Sequence, residues 1–312
     1  MKILVIELSN LGDALLTFPA LHALWQSYPQ AEFHVLASPR NKDLFISNPR
    51  VQRVWVLDKQ AGLWRRGLIV LDLVLEGFQL VVDFKNTMIP LFIPRARHTP
   101  VFFRPRPGNR HRAETHLEWV TRLGIPAPQS RLRLPFDVRE ERKVEEWLEK
   151  GKVPVVMVPG ARSHLKRWSA AGFAEVADRL IERHQAQVLL VGEEQERPIA
   201  DEVTRAMRNR PTDLVNRTNV RQLGALLSHA KLVITNDNAC LHAASVAGVP
   251  TVAIFGPTDE RKYGPRAAGS AVVRRTLVCA PCELALCPYH HECMSGVTAD
   301  EVYSAAARIL QS

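Results

Sequence analysis

Short apolar runs alternating with longer amphipathic stretches constrain this chain more than any other feature. Residues 2–7 (KILVIE) read as a buried strand and 13–27 as a helix with one apolar face. Further strands are expected at 33–37, 54–57 and 80–83, before proline- and arginine-rich sequence at 90–107 breaks the pattern. A helix follows at 113–123, and a charged helix over 138–150 stops near Gly151. The second half alternates more regularly, with strands at 154–158, 187–191, 231–235 and 251–255. Helices at 170–184, 194–209, 220–228 and 238–247 separate them, and a last helix covers 299–310. Parallel strands need crossover connections, which helices supply, so the expected class is α/β with parallel sheets. The expected arrangement is two Rossmann-like domains, 1–150 and 151–312, facing across a cleft.

Length and charge narrow the function. The chain has 312 residues, enough for two domains, with ordinary globular proportions of 46% hydrophobic and 23% charged residues. No run approaches the roughly 18–20 apolar residues of a spanning helix. Glu7, Asn10 and Asp13 interrupt the apolar start, so it reads as a strand rather than a signal peptide, and a cytoplasmic protein is expected. The net charge is +9. Residues 95–112 hold six arginines (Arg95, Arg97, Arg104, Arg106, Arg110, Arg112) and two histidines, without an acid. Arginine forks grip phosphates, so this stretch is either a phosphate-binding segment or a solvated basic loop. No nucleic-acid-binding module accompanies it.

In open α/β sheets ligands bind beyond the carboxyl ends of the strands, so the loops that follow them carry the function. After residue 7 comes Leu8-Ser9-Asn10-Leu11-Gly12-Asp13, with one glycine where a dinucleotide fingerprint has three. Asp13 suits first the opening turn of a helix, and as the alternative a general base. After residue 158, Gly160 permits a turn and Lys166 and Arg167 precede a helix start, a setting that favours pyrophosphate. After residue 191, Gly192 and Glu193 suit ribose hydroxyls or the helix dipole. After residue 235, Asp237 and Asn238 open a helix whose Ala239, Ala243 and Ala244 allow close approach, with His242 one turn on. After residue 255 comes Gly256-Pro257-Thr258-Asp259.

Taken together, Leu11-Gly12-Asp13, Pro159-Gly160-Ala161 with Lys166-Arg167-Trp168, Asp237 with His242-Ala243-Ala244, and Phe255-Gly256-Pro257-Thr258-Asp259 resemble the heptosyltransferases of glycosyltransferase family nine. The resemblance spans nearly the whole chain. It implies a GT-B fold with the acceptor in the first domain and an ADP-sugar donor in the second. It makes Asp13 the general base, and Lys166 the group that offsets charge on the leaving diphosphate. Gly160, Arg167, Glu193, Asp237, Asn238, Ala239, His242 and Thr258 would serve the donor, and Gly12, Arg104 and Arg106 the acceptor. An inverting displacement of this kind requires no cofactor, since lysine, arginine and helix dipoles supply the positive potential. The implied acceptor is a phosphorylated Kdo–lipid A. The implied location is therefore peripheral, on the anionic inner leaflet, where each basic residue near the surface contributes about 1 kcal/mol. Asn238-Ala239 replaces the family's usual small hydroxyl residue and glycine, and Glu260 its usual proline. A GT-B enzyme using a UDP- or GDP-sugar and a non-enzymatic two-lobed nucleotide binder are the alternative readings.

The chain also contains Cys279-x2-Cys282-x4-Cys287-x5-Cys293, with His290 and His291 between the last two cysteines. Four thiols suffice for a tetrahedral structural zinc, although the spacing is not that of a common zinc ribbon. Reduced or redox-variable thiols are the competing reading. Cys240 is expected to pack.

Overall fold

The computed structural model describes residues 1–46, 48–101, 110–128 and 138–311. The chain divides into two units, Met1–Pro135 and Phe136–Ser312. In the first, strands β1 (Lys2–Glu7), β2 (Glu32–Ala37), β3 (Val51–Val56), β4 (Leu80–Asp83) and β5 (Arg97–His98) form one parallel sheet in the order β3-β2-β1-β4-β5. Helices α1 (Leu11–Leu15), α2 (Phe18–Ser27), α3 (Leu63–Leu75) and α4 (Arg112–Thr121) connect or cover it. The single helix expected over 13–27 is two helices. Pro19 has no N–H to offer the Leu15 carbonyl, and the Thr17 hydroxyl turns back to the Ala14 carbonyl at 2.7 Å.

The second unit begins with α5 (Val138–Glu145), which packs against a helix of that same unit. The Gln187 side chain fixes the segment after α5 by accepting from the Glu149 N–H at 2.9 Å and donating to the Trp147 carbonyl at 2.8 Å. These contacts place the division ahead of the 150/151 boundary read from the sequence. Strands β6 (Val153–Val158), β7 (Ala186–Leu190), β8 (Thr212–Asp213), β9 (Leu232–Asn236), β10 (Thr251–Phe255) and β11 (Ala271–Arg274) are all parallel, in the order β11-β10-β9-β6-β7-β8. Their helices are α6 (Ala170–His184), α7 (Arg197–Ala206), α8 (Val220–His229), α9 (Ala239–Ala247), α10 (Glu260–Tyr263), α11 (Glu292–Ser295) and α12 (Ala299–Gln311). The helix expected over 194–209 is shorter, because Glu194–Glu196 forms a 3-10 turn ahead of α7. Val155, Met157, Val188, Leu190 and Ile234 lie in one core with Trp168 and Phe173, each at most 2% exposed. Burying each such side chain contributes about 1.5–3 kcal/mol.

Both sheets share one topology. Counted within its own unit, each has the strand order 3-2-1-4-5, and the second sheet adds a sixth strand. The direction of winding reverses between β1 and β4, and again between β6 and β9. Loops leaving the carboxyl ends of those strands diverge and leave a crevice, the usual ligand position in such sheets.

Candidate functional site

The loops after β6 and β9 converge through side-chain hydrogen bonds. The Asn236 amide donates to the Pro159 carbonyl at 2.7 Å, and its oxygen accepts from the Trp168 N–H at 3.1 Å. Asn238 donates to the Gly160 carbonyl at 2.8 Å. The same Asn238 caps α9, its oxygen accepting from the Cys240 and Leu241 N–H groups. That leaves the Ala239 N–H outside the cap, at the positive end of the helix dipole. The fourth tie is ionic: Lys166 Nζ lies 2.7 Å from Asp237 Oδ2. Asp237 is buried and Lys166 about one-third exposed. One cation and one helix start therefore meet on a frame fixed from both loops, an arrangement suited to a diphosphate.

Other expected donor residues lie on the loops after β6, β7 and β10 and on α9. Gly160 faces the Glu196 carboxyl so closely that a Cβ there would overlap it. Arg167 Nε donates to the Ala161 carbonyl at 2.8 Å, which holds the loop's own turn. Trp168 anchors the loop's end, its Nε1–H reaching the Val297 carbonyl at 2.9 Å. His242 is buried on α9, and Thr258 is buried beyond β10 with no hydrogen-bond partner for its hydroxyl among the described residues. Glu193 is exposed, and its N–H donates to Glu196 Oε2 at 3.0 Å. Glu196 is thus the acid that backs Gly160, and sequence reasoning passed over it. Burial raises its carboxyl above the usual range, against the Glu193 N–H bond that lowers it, while the Glu193 charge pushes it up.

In the first unit, Asp13 stands exposed in the first turn of α1, and Gly12 precedes it half-buried. Asn10, ahead of α1, accepts from Arg40 at 2.7 Å. Beneath this turn lies Glu7, also missed from the sequence. It is 1% exposed at the end of β1, with Oε1 accepting from the Ser9 N–H at 3.0 Å and from the Ser9 hydroxyl. Burial pushes its carboxyl up to about 7. Beside it, at the end of β4, Asp83 is buried and accepts from the Lys85 and Thr87 backbone N–H groups at 2.8 and 2.6 Å. Arg104 and Arg106 lie outside the described residues.

All four cysteines of the tail line one small cavity, together with Leu165, Pro257 and His291. Burial raises the Cys293 thiol, and the other three thiols add to the rise. Among the described residues, no three His, Cys, Asp or Glu side chains are arranged to hold a metal ion. Cys279, Cys282, Cys287 and Cys293 are not joined by disulfides. Cys240 is buried on α9 as a packing residue.

Comparison with known proteins supplies the context. Residues 110–292 match the model for glycosyltransferase family 9 (heptosyltransferase). The chain is 28% identical over 313 residues to lipooligosaccharide heptosyltransferase 2 of Campylobacter jejuni, with 97% of each chain aligned. Its fold matches a family 9 glycosyltransferase from Veillonella parvula with a TM-score of 0.86 at 21% identity, covering 99% of this chain and 97% of that one. It also matches E. coli ADP-heptose LPS heptosyltransferase II with a TM-score of 0.81 at 22% identity, covering 100% and 99%.

Proposed function

The chain belongs to glycosyltransferase family 9, the heptosyltransferases, and on that premise we propose that it transfers heptose from ADP-heptose to a lipopolysaccharide inner-core acceptor. The observation that carries this reading is the Lys166–Asp237 pair beside the start of α9, on loops tied together at the switch point of the second sheet. In the reaction, Asp13 removes the proton from the acceptor hydroxyl, and that oxygen attacks the anomeric carbon opposite the departing ADP. Lys166 and the Ala239 N–H stabilise the negative charge that grows on the diphosphate as the glycosidic bond breaks. Glu193 and Glu196 line the β7 loop on the ribose side, and His242 and Thr258 back the sugar-phosphate from α9 and the β10 loop. Gly12 leaves room for the acceptor beside Asp13. The acceptor is a phosphorylated Kdo–lipid A, and the arginines of 95–112, Arg104 and Arg106 among them, bind its anionic groups. The enzyme works in the cytoplasm, peripheral to the anionic inner leaflet.

Calorimetric titration with ADP, UDP and GDP tests the donor side. ADP is expected to bind selectively, and Lys166→Ala to weaken it by about 10- to 100-fold, the worth of one charge-assisted contact. Asp13→Asn is expected to keep ADP affinity while losing transfer. Preference for UDP or GDP would replace the donor, retained transfer by Asp13→Asn would remove it as the base, and no nucleotide binding would overturn the reading.

A further inference from the structure

Helix α3 is apolar on both faces, but only one face is covered. Leu73 is fully buried, and Ile69 and Val74 pack with it against Leu4, Leu36 and Trp55. On the other side Trp64 is 81% exposed, Leu68 49%, Leu71 53% and Leu75 76%. These four residues follow the spacing i, i+4, i+7, i+11, which places them within one narrow arc of the helix. The turn Ile89–Phe92 packs beside α3 and brings exposed Met88, Leu91 and Phe92. Exposed apolar side chains gathered in this way mark an interaction site.

We propose that this face of α3 docks the protein on an anionic lipid surface, with Trp64 and the leucines entering the headgroup–acyl boundary. Charge argues for lipid over another protein. Exposed Arg65 lies about a quarter turn round α3 from Trp64 and has no ion-pair partner among the described residues, and exposed Arg95 follows the Ile89–Phe92 turn. The two acids near the far end of α3 are already neutralised: Asp72 by Arg53 at 2.9 Å, and Glu76 by Lys2 at 2.6 Å. The stripe is thus flanked by positive charge that is not offset, on a chain of net charge +9. An interfacial helix combines an apolar face carrying Trp and Leu with arginines that meet anionic headgroups. No helix among the described residues is long and apolar enough to cross a membrane, so docking would be from one side. The inference rests on the reading of a lipid-linked acceptor, and it would bring the unit bearing Asp13 to the surface where such an acceptor lies.

The test uses the full chain and vesicles of phosphatidylglycerol or phosphatidylcholine without acceptor, read by flotation and by Trp fluorescence. Trp64 is the most exposed tryptophan described, so acrylamide quenching reports chiefly on it. Anionic vesicles are expected to bind the protein and shield Trp64, and neutral ones to bind at least roughly tenfold less. Trp64→Ser/Leu68→Ser/Leu71→Ser should lower partitioning by roughly 100-fold or more, with ADP titration of the second unit unchanged. Undiminished vesicle binding by that variant, equal binding to neutral lipid, or burial of the stripe by self-association in lipid-free solution would each overturn the proposal. Turnover on a delipidated, soluble acceptor fragment tests the transferase reading separately, because it needs no docking.

Discussion

Glu7 offers a direct measurement of what burial does beneath the Asp13 turn. Its carboxyl is 1% exposed, and Oε2 has no hydrogen-bond partner among the described residues. Loss of solvation dominates and lifts it from 4.5 to about 7, while Ser9 and Lys85 pull it down and Asp13 pushes it up. Because the folded value lies above the unfolded one, this group's contribution to stability is fully present below about pH 4.5. It is lost as pH rises through about 7. A rise of 7 − 4.5 = 2.5 units corresponds to about 3 kcal/mol. Glu7→Gln keeps an oxygen for both Ser9 donors and cannot ionise. Its stability relative to the parent protein should therefore climb by about 3 kcal/mol between pH 4.5 and 8.5. In a unit of this size that is a relative Tm gain of roughly 10 °C. His116 is buried and held down to about 4, so it destabilises the fold as pH falls from 6.5 towards 4. It does so in both proteins and cancels in the difference. Urea unfolding across this pH range is the assay. A difference that stays flat with pH would show that Glu7 does not ionise at a cost, and would refute the account.

Substitutions at two further positions probe the proposed donor loops. Gly160→Ala sets a methyl against the Glu196 carboxyl and should cost about 1–3 kcal/mol in urea unfolding and weaken ADP by roughly tenfold; unchanged values would mean that the Glu196 side chain moves aside freely. Asn238→Ala should cost about 1–3 kcal/mol through the lost cap and the lost bond to the Gly160 carbonyl, whereas Asn238→Asp should keep the cap, lose only that bond at a cost of about 1–3 kcal/mol, and weaken ADP more than Asn238→Ala does in calorimetry, because it places a negative charge at the proposed diphosphate site. Equal ADP affinity in Asn238→Asp and the parent would remove the α9 start from the site.

The sheets were legible because buried parallel strands are unbroken apolar runs, and β1, β4, β6, β9 and β10 are such runs. The edge strands β5 (Arg97–His98) and β8 (Thr212–Asp213) gave no such signal, because an edge strand is paired on one side only and tolerates polar residues. Helix α3 was obscured by its doubly apolar pattern, which periodicity cannot assign to one face. The site was legible to the extent that it sits at strand ends. Gly160, Lys166, Asp237 and Asn238 all fall there, and the pairing of β6 with β9 brings their loops together. Glu196 was not legible, because only the pairing of β7 with β6 carries its loop to Gly160. Glu7 was hidden as the last letter of an apolar strand.

The Lys166–Asp237 pair shows why a side chain's partner matters as much as its charge. A carboxylate as buried as Asp237 is costly without a counter-charge, so Lys166 is engaged before any ligand arrives. An ammonium has three donors, and Asp237 takes one of them. The others have no partner among the described residues and would serve the phosphate oxygens of the proposed donor, on a side chain already held in place by the pair. In the proposed reaction, Asp237 would therefore act on the donor through Lys166, as a positioning residue. The neighbouring ties of Asn236 to Pro159 and Asn238 to Gly160 hold the backbone on which that lysine stands. Pre-organisation of this kind lowers the entropic cost of binding, and it keeps the positive charge in place while negative charge develops on the leaving group.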